Sequence, residues 1–467
     1  MRGVWTTDRV RAAEQRVFET VPEATLMRRA AFGVAVCAAE FRPRHVLLLV
    51  GAGNNGGDAL WAGAFLRRRG IAVRAILLRP ERAHAAGLAA FRRAGGRIVD
   101  TPGNPDVVID GIVGISGKGP LRPEAAALVA QITAPIIAVD QPSGVDPDTG
   151  AEDGPCVDAT MTVTFGGRKP VHALSPRCGI VCVVDIGLSA ALGEPDLVLL
   201  DPPDVLAAWP IPGPKDDKYT QGVTGIAAGS ATYPGAAVLS TSGAVLATSG
   251  MVRYAGTAAE NVQQRWPEAI TTGSISDAGR VQAWVVGPGI GTGSAGRDLV
   301  AHVLGVGVPV CVDADAITLL AENPSLWDRR DSDTAIVLTP HDREFARLAP
   351  LGKDRVASVK ALARRVNAVV LLKGYNTIVA APDGRVLVNQ APSSWLATAG
   401  SGDVLSGILG ALLAAGVDPW LAAGCAAWVH GQAGTLAASG APAPASAIAQ
   451  AIPDAIRNLT AGNRSHQ

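Results

Sequence analysis

The sequence predicts two α/β domains, each a mainly parallel sheet layered between helices. Three observations predict this. Short apolar runs alternate with helix-period segments up to Asp140 and again after Gly222, the pattern of crossover-connected parallel strands. Between the two stretches lies Pro210-Ile211-Pro212-Gly213-Pro214-Lys215-Asp216-Asp217, Pro-rich and then charged, which is linker chemistry. The length of 467 residues gives each half enough chain to bury its own core. The expected domains are 1–210 and 215–460.

In the first half, residues 45–50 form an apolar run that ends in a Gly-rich turn. Residues 58–69 carry helical spacing with a basic last turn; 71–78 read as strand and 83–94 as helix. A strand at 106–110, a helix at 123–132 and a strand at 135–140 follow. In the second half, strands at 222–227, 283–286, 308–312, 335–338 and 369–372 alternate with helices. A helical stretch runs from Asp403 to about Ser439, and the polar tail after Asn458 is expected to fray. In parallel sheets, ligands bind at the carboxyl ends of the strands. Asp110 and Asp140 each end a strand and the Gly-rich turn follows another, so three polar features converge on one sheet edge.

Composition narrows the partners. Lys plus Arg is 41 and Asp plus Glu is 41, so the formal net charge is zero. Nothing in that balance favours nucleic acid or an anionic membrane. No apolar run follows a basic start, so no signal peptide is expected. The most membrane-like stretch, 404–417, is shorter than the roughly 20 residues of a spanning helix. Of six scattered cysteines only Cys178 and Cys182 are close, without a second pair at metal spacing. Reduced thiols in a cytoplasmic protein are the expectation.

Two motifs carry chemistry. The first is Gly51-Ala52-Gly53-Asn54-Asn55-Gly56-Gly57-Asp58, whose opening fits G-x-G-x-x-G, a weak dinucleotide signal. Asp58 falls at the expected helix start, where its carboxylate opposes a pyrophosphate; a plain helix cap is the alternative. The second is Leu396-Ala397-Thr398-Ala399-Gly400-Ser401-Gly402-Asp403-Val404-Leu405. Gly400 and Gly402 expose backbone N–H groups, and the helix expected from Asp403 aims its positive end at the same spot. That makes an anion hole for a phosphoryl group in transfer, with Asp403 beside it to take a hydroxyl proton. A cap behind a Gly turn is the alternative.

Over about residues 5–200 the chain resembles the NAD(P)H-hydrate epimerase family. The resemblance rests on Leu26-Met27-Arg28-Arg29-Ala30-Ala31, Asn54 to Asp58, Val108-Ile109-Asp110-Gly111, Gly114-Ile115-Ser116-Gly117-Lys118-Gly119-Pro120 and Val139-Asp140-Gln141-Pro142-Ser143-Gly144-Val145-Asp146. It implies a Rossmann-like doubly wound sheet. It also implies that Asn54, Asn55, Gly56, Gly57, Asp58, the 114–120 loop and Asp140 contact the hydrated cofactor. Asn55, Asp110 and Ser143 would hold a potassium ion, for which hard oxygen ligands are suited. Asp140 is the candidate acid/base group, since epimerisation needs proton transfers; a substrate-hydroxyl anchor is the alternative. The chain has Ala59 where the family has Gly, and Gly-Ile-Ser-Gly at the 114 loop; either would crowd the pocket.

Over about 215–440 the chain resembles the NAD(P)H-hydrate dehydratases of the ribokinase-like superfamily. The matching runs are Asp217-Lys218-Tyr219-Thr220-Gln221-Gly222, Ala228-Gly229-Ser230, Tyr233-Pro234-Gly235-Ala236-Ala237, Val286-Gly287-Pro288-Gly289-Ile290-Gly291, Val312-Asp313-Ala314-Asp315-Ala316, Leu338-Thr339-Pro340-His341, Leu372-Lys373-Gly374, Gly400 to Asp403 and His430-Gly431. The resemblance implies that Ala236, Gly289, His341 and Asp403 line the hydrated-nicotinamide site. Lys373, Gly374, Tyr375, Asn376, Thr377 and Gly402 would bind ADP. Asp403 would be the base for phosphorylation of the hydrate hydroxyl, followed by loss of phosphate, with AMP released and Mg²⁺ bridging the nucleotide phosphates. Arg343-Glu344 stands where Gly-Glu is usual. The implied partners are NADHX, NADPHX and ADP, in a homo-oligomer. A small-molecule kinase fused to a nucleotide-binding module, and a non-catalytic binding protein, remain open alternatives.

Overall fold

The computed structural model describes residues 1–248, 250–331, 334–390 and 394–464. They form two compact units, one of residues 3–197 and one of residues from Val198 on, joined by residues 1–2.

In the first unit, Val46–Val50, Val107–Gly111 and Ile136–Val139 bury every residue, as parallel strands covered on both faces must. The seven-stranded sheet has the order Arg97–Ile98, Ala72–Leu77, His45–Val50, Val107–Gly111, Ile136–Val139, Met161–Phe165, Ile180–Val184, and its pairings are parallel. The order reverses between His45–Val50 and Val107–Gly111, whose register sets Val50 against Gly111. Crossovers leave that point in opposite directions, so a crevice opens at the carboxyl ends. Helices Glu23–Glu40 and Asn54–Arg68 pack one face around Val34, Leu48, Leu60 and Ile109, and Pro123–Val129 packs the other around Leu49 and Val108.

Two features differ from the sequence reading. The strands Met161–Phe165 and Ile180–Val184 extend the sheet past Asp140. Thr162 and Thr164 interrupt the apolar run that marks a buried strand; both are fully buried, with hydroxyls donating to Cys178 O and Asp140 Oδ1. The second difference is the helix start, which is Asn54, not Asp58. Gly53 supplies the turn at φ 88°, and a Cβ on Gly56 would lie 2.3 Å from Gly51 O. Asp58 therefore sits past the first turn, buried, and does not cap the helix.

In the second unit the order is Leu197–Leu199, Val386–Gln390, Asn376–Ala380, Val369–Leu372, Ile336–Leu338, Val310–Val312, Ala283–Val286, Val223–Ala227, Met251–Ala255, Ile270–Thr272. Asn376–Ala380 runs antiparallel to both its neighbours; the other pairings are parallel. Helices Pro234–Ala247 and Ser401–Ala414 cross at glycines: a Cβ on Gly407 would lie 2.0 Å from Ser240 O. The expected 403–439 stretch is two helices, Ser401–Ala414 and Pro419–Ala438, because Asp418 accepts from Leu421 N and caps a new start before Pro419. The tail is helical too, as Ile452–Arg464. Among the described residues no helix is long and apolar enough to cross a membrane.

The units divide upstream of the Pro-rich segment. Strand Leu197–Leu199 pairs with Val386–Gln390, and Leu200, Val205 and Trp209 enter the second unit's core. Burial of such side chains stabilises by about 1.5–3 kcal/mol each. A fragment beginning at Val198 is therefore expected to unfold at clearly higher urea than one beginning at Lys215. Equal midpoints would mean that this segment is a passive tether.

Candidate active sites

The Gly51–Asp58 turn, the 114–120 loop and Asp140 close around a cavity of about 790 Å³ at the first unit's carboxyl edge. Asn54, Asn55, Asp58, Gly114, Ile115, Ser116, Gly117, Lys118, Gly119, Pro120 and Asp140 line it. Gly56 and Gly57 do not; they let the helix approach Gly51 and the His84 ring. Ala59 faces away as well. It is fully buried beneath Gly111, so it does not crowd the cavity. Arg11 reaches the rim, donating to Ile115 O at 3.0 Å and Ser116 Oγ at 3.3 Å, and so tethers the loop.

Asp140 is held at φ 67°, a strained conformation for a residue with a Cβ. Its surroundings fix it there. Its N–H donates to Val163 O, Lys169 Nζ donates to Oδ1 at 2.7 Å, and Thr164 Oγ1 donates to the same oxygen at 2.9 Å. His172 Nδ1 accepts from Lys169 N at 2.9 Å, which leaves Nε2 as the donor to Asp140 O at 2.7 Å. Burial and the neighbouring lysine push His172 down to about 4, so the ring is neutral. Burial alone would raise Asp140, but Lys169 outweighs it, helped by the Thr164 hydroxyl, and holds the carboxyl below its usual value. Asp140 is therefore a largely buried, ionised carboxylate at the cavity wall.

Behind the cavity wall lie Asp110 and Ser143. Ser143 N and Oγ donate to Asp110 at 2.9 and 2.8 Å, and Ile112 N donates at 3.1 Å. Burial nevertheless pushes Asp110 up to about 6, and among the described residues no ion pair reaches it. Asn55 lines the cavity beside them, its Oδ1 3.0 Å from where a Cβ on Gly114 would stand.

In the second unit a cavity of about 600 Å³ is lined by Lys373, Gly374, Tyr375, Thr377, Gly400, Gly402, Asp403 and His341. Asn376 lies outside the lining. Gly400 adopts φ 83° and starts helix Ser401–Ala414, so Asp403 lies within its first turn. Lys373 follows strand Val369–Leu372, and its Nζ donates to Asp313 Oδ1 at 2.7 Å. Asp313 Oδ2 accepts from Ser406 Oγ at 2.7 Å. Burial pushes Asp403 up to about 7; Asp313, Asp315 and Glu344 add to the rise and Lys373 opposes it. His341 caps helix Asp342–Leu348: its Nδ1 accepts from Arg343 N and Glu344 N, and Glu344 accepts from His341 N. Arg343 leaves this capping box intact. Ala236 and Gly289 meet each other, with a Cβ on Gly289 2.9 Å from Ala236 Cβ, but neither lines this cavity.

These arrangements have relatives. The family model of NAD(P)H-hydrate dehydratase matches residues 224–456, and that of the YjeF-related protein N-terminus matches 23–171. A bifunctional NAD(P)H-hydrate repair enzyme from Mycobacterium tuberculosis is 55% identical over 431 residues, 89% of this chain and 90% of the relative. The chain belongs to the bifunctional NAD(P)H-hydrate repair enzymes. A repair enzyme from Mycobacterium leprae is 52% identical over 453 residues, 94% of this chain and 95% of the relative. Among solved structures, the ADP/ATP-dependent NAD(P)H-hydrate dehydratase from Bacillus subtilis, co-crystallised with ATP/Mg²⁺, has TM-score 0.52 and 26% identity. It covers 56% of this chain and 99% of that one. The dehydratase match sets aside the small-molecule kinase and the non-catalytic alternatives.

For this repair enzyme the sequence reading missed several residues. Glu14 lines the first cavity and Lys169, Thr164 and His172 hold its acid; Glu344, His430 and Asp313 line the second, and Ser406 supports Asp313. The strand-end rule that found Asp110 and Asp140 finds Asp313 and Lys373 equally. Lys169 carries no such signal: it lies four residues beyond Met161–Phe165, a strand without a plain apolar run.

Proposed function

We propose that the two cavities divide one repair: the first interconverts the R and S hydrates of NADH and NADPH, and the second dehydrates the S form at the expense of ADP. The observation that carries this is the pairing of an ionised, lysine-held Asp140 in one cavity with an Asp403 poised near neutrality beside a helix N-terminus in the other. In the dehydratase site Asp403 takes the hydrate hydroxyl proton as that oxygen attacks phosphorus. The exposed N–H groups at Gly402 and the Lys373 ammonium stabilise the transferring charge. The transfer leaves AMP; phosphate then departs with the C–O electron pair and the neighbouring carbon gives up a proton, which restores the ring double bond. His341, Ala236 and Gly289 are proposed contacts of the hydrate, and residues 373–377 with Gly402 of the nucleotide. Mg²⁺ would arrive on the nucleotide phosphates; among the described residues no group of three His, Cys, Asp or Glu side chains is placed to hold a metal ion. In the epimerase site Asp140 exchanges protons with the hydrate. A cytoplasmic homo-oligomer is the setting we propose.

Incubating a mixture of NADH hydrate epimers with the protein and ADP tests the whole reading. The expected result is full recovery of NADH absorbance with ADP and none without it, while epimers interconvert in either case. Recovery that stops at the S fraction would remove the epimerase assignment.

Asn55, Asp110 and Ser143 fit a potassium ion. Asp110 is a buried carboxylate raised by burial, with no cation beside it among the described residues, and the other donors are neutral oxygens. That set suits a monovalent ion better than Mg²⁺, which demands tight octahedral geometry. When bound, the ion would supply positive charge behind the 114–120 loop. Asp110→Ala is expected to raise KM for epimerisation about tenfold or more and abolish its potassium dependence, leaving dehydration unchanged. Epimerisation rates in potassium, sodium and choline salts at equal ionic strength check this; identical rates for the unmodified protein would remove the ion.

A further inference from the structure

The first cavity holds a second acid that the roles above do not use. We propose that Asp58 is the proton donor to the departing hydroxyl in epimerisation, acting from the opposite side of the reacting carbon to Asp140. The inference rests on the epimerase reading and deepens it.

Asp58 lines the cavity but is only 8% exposed, and its Oδ1 is buried with no hydrogen-bond partner among the described residues. A buried polar atom left orphaned costs stability and is explained by a ligand that completes it. It is not a cap, because the helix begins at Asn54. Asp58 and Asp140 project into one cavity from different elements, Asp58 from helix Asn54–Arg68 and Asp140 from the end of Ile136–Val139. They are not equivalent. Asp140 has a lysine and a threonine to hold its charge, and a histidine to hold its main-chain carbonyl. Among the described residues no cation pairs with Asp58, and burial raises its carboxyl well above the usual range, with Asp140 and Glu14 adding to the rise. One acid is thus pushed towards its ionised form and the other towards its protonated form, the arrangement that assigns base and acid.

The chemistry of the substrate calls for both. Water adds to an enamine with its hydroxyl on the carbon next to nitrogen, so the hydrate is a hemiaminal. Its stereocentre inverts when that carbon–oxygen bond breaks and re-forms on the other face. Asp58 gives its proton to the hydroxyl; the C–O bond breaks with its electron pair on oxygen, which leaves as water. The ring nitrogen lone pair fills the new C=N bond. Water then adds from the other face through an oxygen pair, the C=N π pair returns to nitrogen, and Asp140 takes the surplus proton. One proton has moved from Asp58 to Asp140, so the opposite epimer runs the same steps backwards, and solvent exchange resets the pair.

The test uses the full-length protein in ¹⁸O-water with each hydrate epimer and no nucleotide. The expected result is ¹⁸O at the inverted centre above the protein-free rate. In Asp58→Asn both inversion and ¹⁸O entry should fall by about 10²–10⁴-fold, with KM changed less than kcat and with ADP-dependent dehydration unchanged. Inversion that retains the original oxygen would overturn the proposal, since that is the outcome of ring opening at the carbon–nitrogen bond. Asp58→Asn turning over within tenfold of the unmodified protein would overturn it too. A protein that inverts neither epimer would instead defeat the epimerase reading on which the proposal stands.

Discussion

Asp403→Asn is expected to lower ADP-dependent dehydration by about 10²–10⁴-fold while the protein folds normally and still binds ADP. The amide keeps the volume of the carboxylate at the start of helix Ser401–Ala414 and loses only its ability to take a proton. The same environment fixes the pH dependence. Burial, then the charge of Asp313, raises the carboxyl to about 7. The base works ionised, so kcat at saturating ADP should be flat above about 7 and fall as pH drops below it. Stability should move the other way. A carboxyl raised in the folded state contributes most below its unfolded value of 3.8, and that contribution is lost as pH rises toward about 7. At neutral pH the variant should therefore be slightly more stable than the unmodified protein, as expected when a strained catalytic group is neutralised. Turnover near the unmodified rate, or a pH profile without a limb near 7, would take the base role from Asp403.

How much of this was readable in the sequence depends on how each residue reaches its site. Asp110, Asp140 and the Gly51–Asp58 turn are legible because they end or directly follow strands whose apolar runs are plain. The two-unit α/β architecture follows from the same alternation. What was lost came from residues that satisfy one another across the fold. Met161–Phe165 reads as polar alternation because Thr162 and Thr164 are buried on hydrogen bonds, and with that strand went Lys169. Leu200, Val205 and Trp209 sit next to a linker-like segment yet complete the second unit's core. The resemblance alone places Ala236 and Gly289 at the hydrate site with Asp403; the fold brings those two together, and neither is in the lining of the cavity that Asp403 shares.

Lys169 supplies the second large effect, because Asp140 depends on it. Asp140→Asn should abolish epimerisation to about 10²–10⁴ below the unmodified rate, with ADP-dependent consumption of the S hydrate intact. Lys169→Met tests why Asp140 is ionised at all. Lys169 is 1% exposed, and its ammonium bonds Asp140 Oδ1 at 2.7 Å, Thr164 Oγ1 at 2.9 Å and Phe165 O at 3.1 Å. Without it, burial is unopposed by the strongest attraction, and Asp140 moves up from its depressed value. The acid limb of the epimerase profile should then shift to higher pH, so that activity lost at neutrality is partly regained in alkali. Asp140→Asn offers no such regain, which separates loss of the base from loss of the charge that tunes it. Removing one partner of a buried ion pair typically costs about 3–5 kcal/mol, so the variant should also unfold at lower denaturant. That cost should ease as pH falls and Asp140 is neutralised by protonation. A Lys169→Met profile superimposable on that of the unmodified protein would show that Lys169 serves packing alone and that the ionisation of Asp140 has another source.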